Sequence, residues 1–322
     1  MSANVTTVDF SPLRGRIAPA STIIAVGGGK GGVGKSFVSS SISIFLAQLG
    51  YQTLAIDLDL GGANLHTSLG LPVKDKGINE FIHNPDLKLE DLIQTTHWPN
   101  LKLISGSSEV FDVANVDEAQ RSRIMSAIYR HKTDFILLDL SAGTHHSTLD
   151  FFLMANHKLV VFTPEPSSIE NAYRFLKAGF FRKLRRYEHQ LHLKDQIDDL
   201  LTNRAANNIR NPSDLMRVLV EREPVLGLKL KNILCDLNFG IILNQARTRQ
   251  EIDMGHALQS VCSKYFGLPC EFIGGLEYDN AVWQSLRQRS HLLMANRSSH
   301  LYAQLMNIAR KIAKTHQLKA VV

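Results

Sequence analysis

Residues 27–36 read GGGKGGVGKS, and within them Gly29, Gly34, Lys35 and Ser36 satisfy the spacing G-x-x-x-x-G-K-[ST]. That spacing suits one kind of chemistry. Glycines let a loop tighten until several backbone N–H groups converge on one point, as the oxygens of a phosphate require. A helix starting at the loop's end adds the positive end of its dipole. Lys35 then reaches the β- and γ-phosphates of a nucleotide, and the Ser36 hydroxyl is placed to bind Mg²⁺. Gly31, Gly32 and Val33 fill the loop, and Phe37 follows the serine. Chance is a poor account of the match, because an apolar run (IIAV) precedes the loop and a helix-like tail (FVSSSISIFLAQLG) follows it. Lys30 is the residue left over: one lysine in such a loop suffices, and this loop has two.

A magnesium shell beside phosphates needs carboxylates at the ends of neighbouring strands. FILLDLSAG ends an apolar run with Asp139, and LAIDLDLGGANLH ends another with Asp57 and Asp59. A buried strand end seldom carries a lone carboxylate without a partner. The Asp57/Asp59 pair can divide the work, one near the metal and one orienting an attacking water. His145 and His146 are adjacent, so they point apart, and no third ligand stands at a suitable spacing; a metal role is not expected of them.

These residues need a frame. Apolar, β-branched runs at 23–26, 53–56, 101–104, 135–138, 158–162 and 239–243 alternate with helical patterns, which reads as successive βαβ units. Runs apolar on both faces belong to buried parallel strands. The expected fold class is therefore α/β, a doubly wound, mostly parallel sheet with helices on both faces. Residues 1–20 read as an N-terminal tail and 21–322 as a single domain. Residues 180–236, charged and leucine-spaced, read as a helical insertion between two strands.

At 322 residues and 44% hydrophobic, the chain can bury a large core without disulfides. Its three cysteines have no paired spacing, which favours a reducing compartment and argues against a zinc site. The first residues lack the apolar core of a signal peptide, and no run approaches a bilayer span. A cytoplasmic protein is expected, with a peripheral place at a membrane or cell pole left open. The net charge of +6 is a weak pointer to acidic partners. The basic run Arg182, Lys183, Arg185 and Arg186, faced by acidic residues 195–199, is expected to be a solvated helical face rather than a phosphate-backbone site. In the C-terminal stretch, Leu301, Leu305, Ile308 and Ile312 recur at helical spacing; core cover is expected over a membrane anchor.

KGGVGKS, with its additional lysine, resembles the signature of the deviant Walker A ATPases, the MinD/ParA class of bacterial positioning proteins. The resemblance runs from residue 21 to about residue 315. It implies a P-loop NTPase fold, ATP and Mg²⁺ as cofactors, and slow, dimer-dependent hydrolysis of ATP. It also implies an ATP-dependent homodimer in which Lys30 reaches the phosphates of the neighbour's nucleotide. By the same match Asp57 and Asp139 lie with Ser36 at the metal, and Asp59 orients water. ILNQA resembles the strand end whose asparagine reads adenine, which points to Asn244. The segment GGLEYDNAVWQSLRQRSHLL resembles the late loop over the base, with Glu277 and Asp279 as contacts. No Asn-Lys-x-Asp segment for guanine occurs.

DLDLGGANLHTSLG, DLSAG and TPEPSSIENAYRFLK resemble the MinD and FlhG branch, which implies a switch that positions or counts a flagellar, polar or division-site structure. The alternative is a ParA-type partition ATPase that binds DNA nonspecifically as an ATP dimer. A metal-cluster carrier, which shares the loop, would need a paired-cysteine motif that is missing. Two departures stand out. The tail shows no glutamine-alanine activation motif, and the 180–236 stretch is longer than usual, which makes it the expected surface for a protein partner; a membrane or DNA surface stays open.

Overall fold

The structure is a computed structural model that describes residues 21–72, 76–106, 116–295 and 299–320. The expected N-terminal tail, residues 1–20, lies outside the described residues.

Eight strands form one sheet in the order β3-β4-β2-β5-β1-β6-β7-β8. They are β1 (Thr22–Gly27), β2 (Thr53–Leu58), β3 (Gln94–Thr95), β4 (Leu101–Ile104), β5 (Phe135–Leu140), β6 (His157–Phe162), β7 (Phe239–Ala246) and β8 (Cys270–Glu277). Only β3 runs antiparallel to its neighbour. Every residue of β1, β2 and β5 is buried, as expected of strands covered by helices on both faces. The six expected strands are present, most of them longer by one to three residues. Two, β3 and β8, were not foreseen. β8 carries Gly274 and Gly275, where a side chain would press on Ile308 and Ile252 of the covering helices.

The helices, in chain order, are α1 (Lys35–Gln48), α2 (Leu65–Ser68), α3 (Ile78–His83), α4 (Glu118–Arg130), α5 (His146–Met154), α6 (Pro166–Gln190), α7 (Lys194–Thr202), α8 (Pro212–Arg222), α9 (Pro224–Cys235), α10 (Arg249–Phe266), α11 (Asn280–Arg287), α12 (Leu292–Ala295) and α13 (His300–Ala320). Two apolar cores, one per face, hold them to the sheet. One contains Phe45 of α1 together with Leu301, Leu305, Ile308 and Ile312 of α13. That stripe of α13 therefore covers the sheet. Exposing four such side chains would cost about 6–12 kcal/mol.

The other core contains Phe175, Phe180 and Leu184 of α6 and runs on into Leu200, Leu219, Leu230 and Leu234 of α7 to α9. The compositional break at 180 falls inside α6, which continues unbroken from Pro166. The basic run on α6 is not a solvated face. Lys183 is buried, and Arg182 and Arg186 turn inward to Asp150 of α5 at 2.9 and 3.0 Å. A buried carboxylate draws guanidinium groups more strongly than water does. Arg185 meets the foreseen acidic stretch, through Asp198 at 2.6 Å.

Candidate active site

The loop between β1 and α1 is set by close packing. A side chain on Gly29 would lie 1.9 Å from the Asn171 carbonyl oxygen, so α6 presses directly on the loop. Gly34 has φ +89°, and its missing side chain leaves room for the Asn244 amide, which would otherwise stand 2.2 Å from a Cβ. Asn244 in turn donates from Nδ2 to the Val33 carbonyl at 2.8 Å. A strand-borne amide thus holds the loop from behind. α1 begins at Lys35, directing its N-terminus at the loop.

The sheet supplies the carboxylates. Asp57 and Asp139 are register partners on adjacent strands β2 and β5. Asp57 is fully buried and accepts from the backbone N–H of Asp59 at 3.0 Å and of Leu65 at 2.9 Å. Burial and the neighbouring Asp139 push its carboxyl up to about 8. Asp139 accepts from the Ser39 hydroxyl at 2.8 Å. Burial raises it to about 6, against the hydrogen bonds from Ser36 and Ser39 and the charge of Lys35, which hold it down. Lys35 is lowered by burial, and Asp139 and Asp59 oppose that shift.

A cleft of about 770 Å³ opens over this floor. Of the residues singled out in the sequence, Gly31, Gly32, Gly34, Lys35, Ser36, Phe37, Asp59, Asn244, Glu277 and Asp279 line it. Asp57 and Asp139 lie beneath, and Gly29, Lys30 and Val33 do not line it. Lys30 points away, its ammonium 3.1 Å from both Glu165 Oε2 and Ser167 Oγ at the start of α6.

The cleft also has walls that the motifs did not mark. Tyr278, Val282, Trp283 and Leu286 form an apolar side, and Gln245 joins Asn244. Trp283 is 55% exposed and carries Arg287 4.8 Å above its ring; Tyr278 likewise carries Arg247 at 4.6 Å. The available signal was the pair of aromatics in EYDNAVW beside a turn. Gln245 stands in the left-handed region at φ +61°, where the β7/β8 register shifts.

The donor chemistry fits a hard divalent cation. Hydroxyl and carboxylate oxygens meet at Ser36, Asp139 and Asp57, and the two stacked carboxyls are hard to ionise without added positive charge. No group of three or more His, Cys, Asp or Glu forms a metal cage among the described residues. Mg²⁺ suits such a partial set, because it takes its remaining ligands from phosphate and water.

The profile of the AAA domain family AAA_31 matches residues 21–198. The chain belongs to that family and is a P-loop ATPase of the MinD/ParA class. It is 29% identical over 220 residues to a septum site-determining protein MinD of Oltmannsiellopsis viridis, covering 68% of this chain and 66% of that protein. It is 31% identical over 157 residues to the antiactivator FleN of Pseudomonas aeruginosa, covering 48% and 55% respectively. The solved Mg-ADP complex of the septum site-determining protein MinD from Pyrococcus horikoshii superposes with a TM-score of 0.64. That match covers 94% of this chain and all of that one; at 22% identity it is a likeness of fold.

Proposed function

We propose that the protein is a dimerising switch driven by ATP and Mg²⁺. ATP closes two copies into a homodimer, the dimer engages a partner, and slow hydrolysis releases it. The observation that carries this reading is the division between the two lysines: Lys35 faces the cleft, whereas Lys30 lies outside it on Glu165. A lysine held outward is free to serve a second copy.

In this reading Lys35 and the loop N–H groups hold the phosphates of the chain's own nucleotide. Ser36, with Asp57 and Asp139, holds Mg²⁺, which supplies charge neutralisation at the phosphates. Asp59 orients the attacking water. Asn244, Glu277 and Asp279 face the adenine. Lys30 brings positive charge to the neighbour's transferred phosphoryl group, so turnover depends on assembly. The likeness to a septum site-determining protein and an antiactivator supports a role in placing or counting a division-site, polar or flagellar structure. Helices α7 to α9 offer the partner surface, and the protein works in the cytoplasm or peripherally at a membrane or pole.

Mixed dimers test it. Lys30→Ala and Asp59→Ala are each expected to lose turnover while still binding ATP. Mixed together they regain it, because one composite site keeps both groups. A mixture as inactive as its parents would refute action across the dimer. Recovered turnover with tight retention on duplex DNA would favour a partition ATPase instead.

A further inference from the structure

The wall of the nucleotide cleft that bears Val282, Trp283 and Leu286 is α11, and α11 is lightly held. Of its eight residues only Ser285 is buried. A helix with so little buried surface takes its position from its two ends. At the start, Asp279 accepts from the Ala281 N–H and from the Ser299 hydroxyl, both at 2.8 Å. At the end, the Ser290 N–H and hydroxyl both reach back to the Ser285 carbonyl, at 2.9 and 3.3 Å. The next residue, His291, is 1% exposed and packs against α1.

His291 joins that turn to α1 in two ways. Its ring lies parallel to Phe37 within 12°, with 5.8 Å between centroids, and Phe37 itself lines the cleft beside Ser36. Its nitrogens form a directed chain of hydrogen bonds. The Leu293 N–H donates to Nδ1 at 3.2 Å. Burial holds the ring neutral, so its one proton sits on Nε2 and is donated to the Ser41 hydroxyl at 3.2 Å. Ser41 donates in turn to the Phe37 carbonyl at 2.7 Å. An apolar residue would fill this space with nothing to satisfy. A buried polar chain with both ring nitrogens bonded instead fixes one arrangement of the elements it joins.

We propose that His291 is a positioning residue that locks the base wall of the cleft to the helix behind the phosphate loop, so that a ligand filling both sides gains affinity that neither side shows alone. The inference rests on the nucleotide reading above, in which Asp279, at the start of α11, stands on the base side and Lys35 on the phosphate side. α11 moves with the turn at Ser290, and that turn is tied through His291 and Ser41 to the carbonyl of Phe37, one residue beyond Ser36. A base held against Val282 and Trp283 therefore steadies the helix start that holds the phosphates. Phosphates at the helix start steady α11 by the same amount, because coupling between two subsites is reciprocal.

Calorimetry on the full chain compares two probes: Mg·ADP, which fills both sides, and magnesium tripolyphosphate, which has phosphates and no base. Ser41→Ala cuts the chain by removing one oxygen at a helix position that favours alanine. It is expected to weaken Mg·ADP about fivefold or more while tripolyphosphate stays within about twofold. His291→Gln keeps a donor that reaches Ser41 and should retain Mg·ADP affinity, whereas His291→Asn, too short to reach, should lose it as Ser41→Ala does. Should a histidine variant unfold, Ser41→Ala decides alone. Equal weakening of both probes in Ser41→Ala makes the chain a support of the phosphate loop only and overturns the proposal. Unchanged Mg·ADP affinity in Ser41→Ala overturns it too. Wild-type protein that binds Mg·ADP no more tightly than tripolyphosphate refutes the base reading along with the coupling, a failure seen before any variant is made and so distinct from failure of the chain alone.

Discussion

Asn244 offers a sharp test because the proposed function gives one amide two jobs. Its Nδ2 is committed to the Val33 carbonyl at 2.8 Å, and the residue is 4% exposed. The same group leaves Oδ1 as an acceptor at the cleft wall. An acceptor there favours the exocyclic amine of adenine and opposes the O6 acceptor of guanine. On the proposed function, Asn244→Ala removes a loop tie and a base reader together. The tie is worth about 1 kcal/mol net, which lowers the melting temperature by about 2–4 °C in a domain of this size. The reader is worth about 1–3 kcal/mol of discrimination, or roughly 5- to 150-fold between ADP and GDP.

Thermal melts without nucleotide measure the first effect, and calorimetry with Mg·ADP and Mg·GDP measures the second. Asn244→Asp gives the control. It sets a carboxylate oxygen against the Val33 carbonyl, so it should melt lower than Asn244→Ala. If Asn244→Ala melts lower yet keeps the wild-type ADP-to-GDP ratio within twofold, the residue is a loop support and the base reading is wrong. If the ratio collapses with no change in melting, the Val33 bond carries no stability.

Three further outcomes are expected. His291 is buried against Phe37 and Trp98 and bonded to Ser41, and burial holds its ring down to about 3. Below pH 6.5 the unfolded chain takes up a proton that the native ring refuses, so stability falls with pH by about 1.4 kcal/mol per unit between 6.5 and about 3. His291→Phe should flatten that part of the urea-midpoint profile; parallel profiles down to pH 4 count against it. Trp283 lines the nucleotide cleft and the other tryptophan, Trp98, is buried, so Mg·ADP should quench emission in wild type and leave Trp283→Phe unchanged. Because the α13 stripe is core, ATP-loaded protein should not pellet with anionic vesicles; salt-sensitive pelleting that needs ATP refutes this.

The loop, the carboxylates and the central strands were legible because each is dictated locally. A glycine loop between an apolar run and a helix has few other uses, and strands buried on both faces must be apolar throughout. β8 was hidden by two glycines that a strand reading penalises, and they are there because α10 and α13 approach the sheet closely. The inward turn of Arg182 and Arg186 was hidden for another reason. Their partner Asp150 lies more than thirty positions away on α5, and the nearer acidic stretch at 195–199 offered a more obvious local match. Sequence distance conceals pairs that the fold makes neighbours.

Exposure separates the charges that move from those that stay. Lys30 and Glu165 meet at 3.1 Å with side chains 40% and 63% exposed. A pair so open to water is worth about 0–1 kcal/mol. If Lys30 acts across a dimer as proposed, giving the pair up reduces assembly by no more than about fivefold, less than the gain from setting an ammonium on a sheltered triphosphate. The Asp150 cluster is the opposite case: stripping one guanidinium from a carboxylate 1% exposed costs several kcal/mol. That cluster therefore holds its arrangement where the Lys30 pair can open. The proposed switch needs a loose pair where a group must change partners, and a fixed one where the scaffold must not move. On this chain the loose pair lies at the glycine loop, and the fixed cluster ties α4, α5 and α6 together through Arg121, Asp150, Arg182 and Arg186.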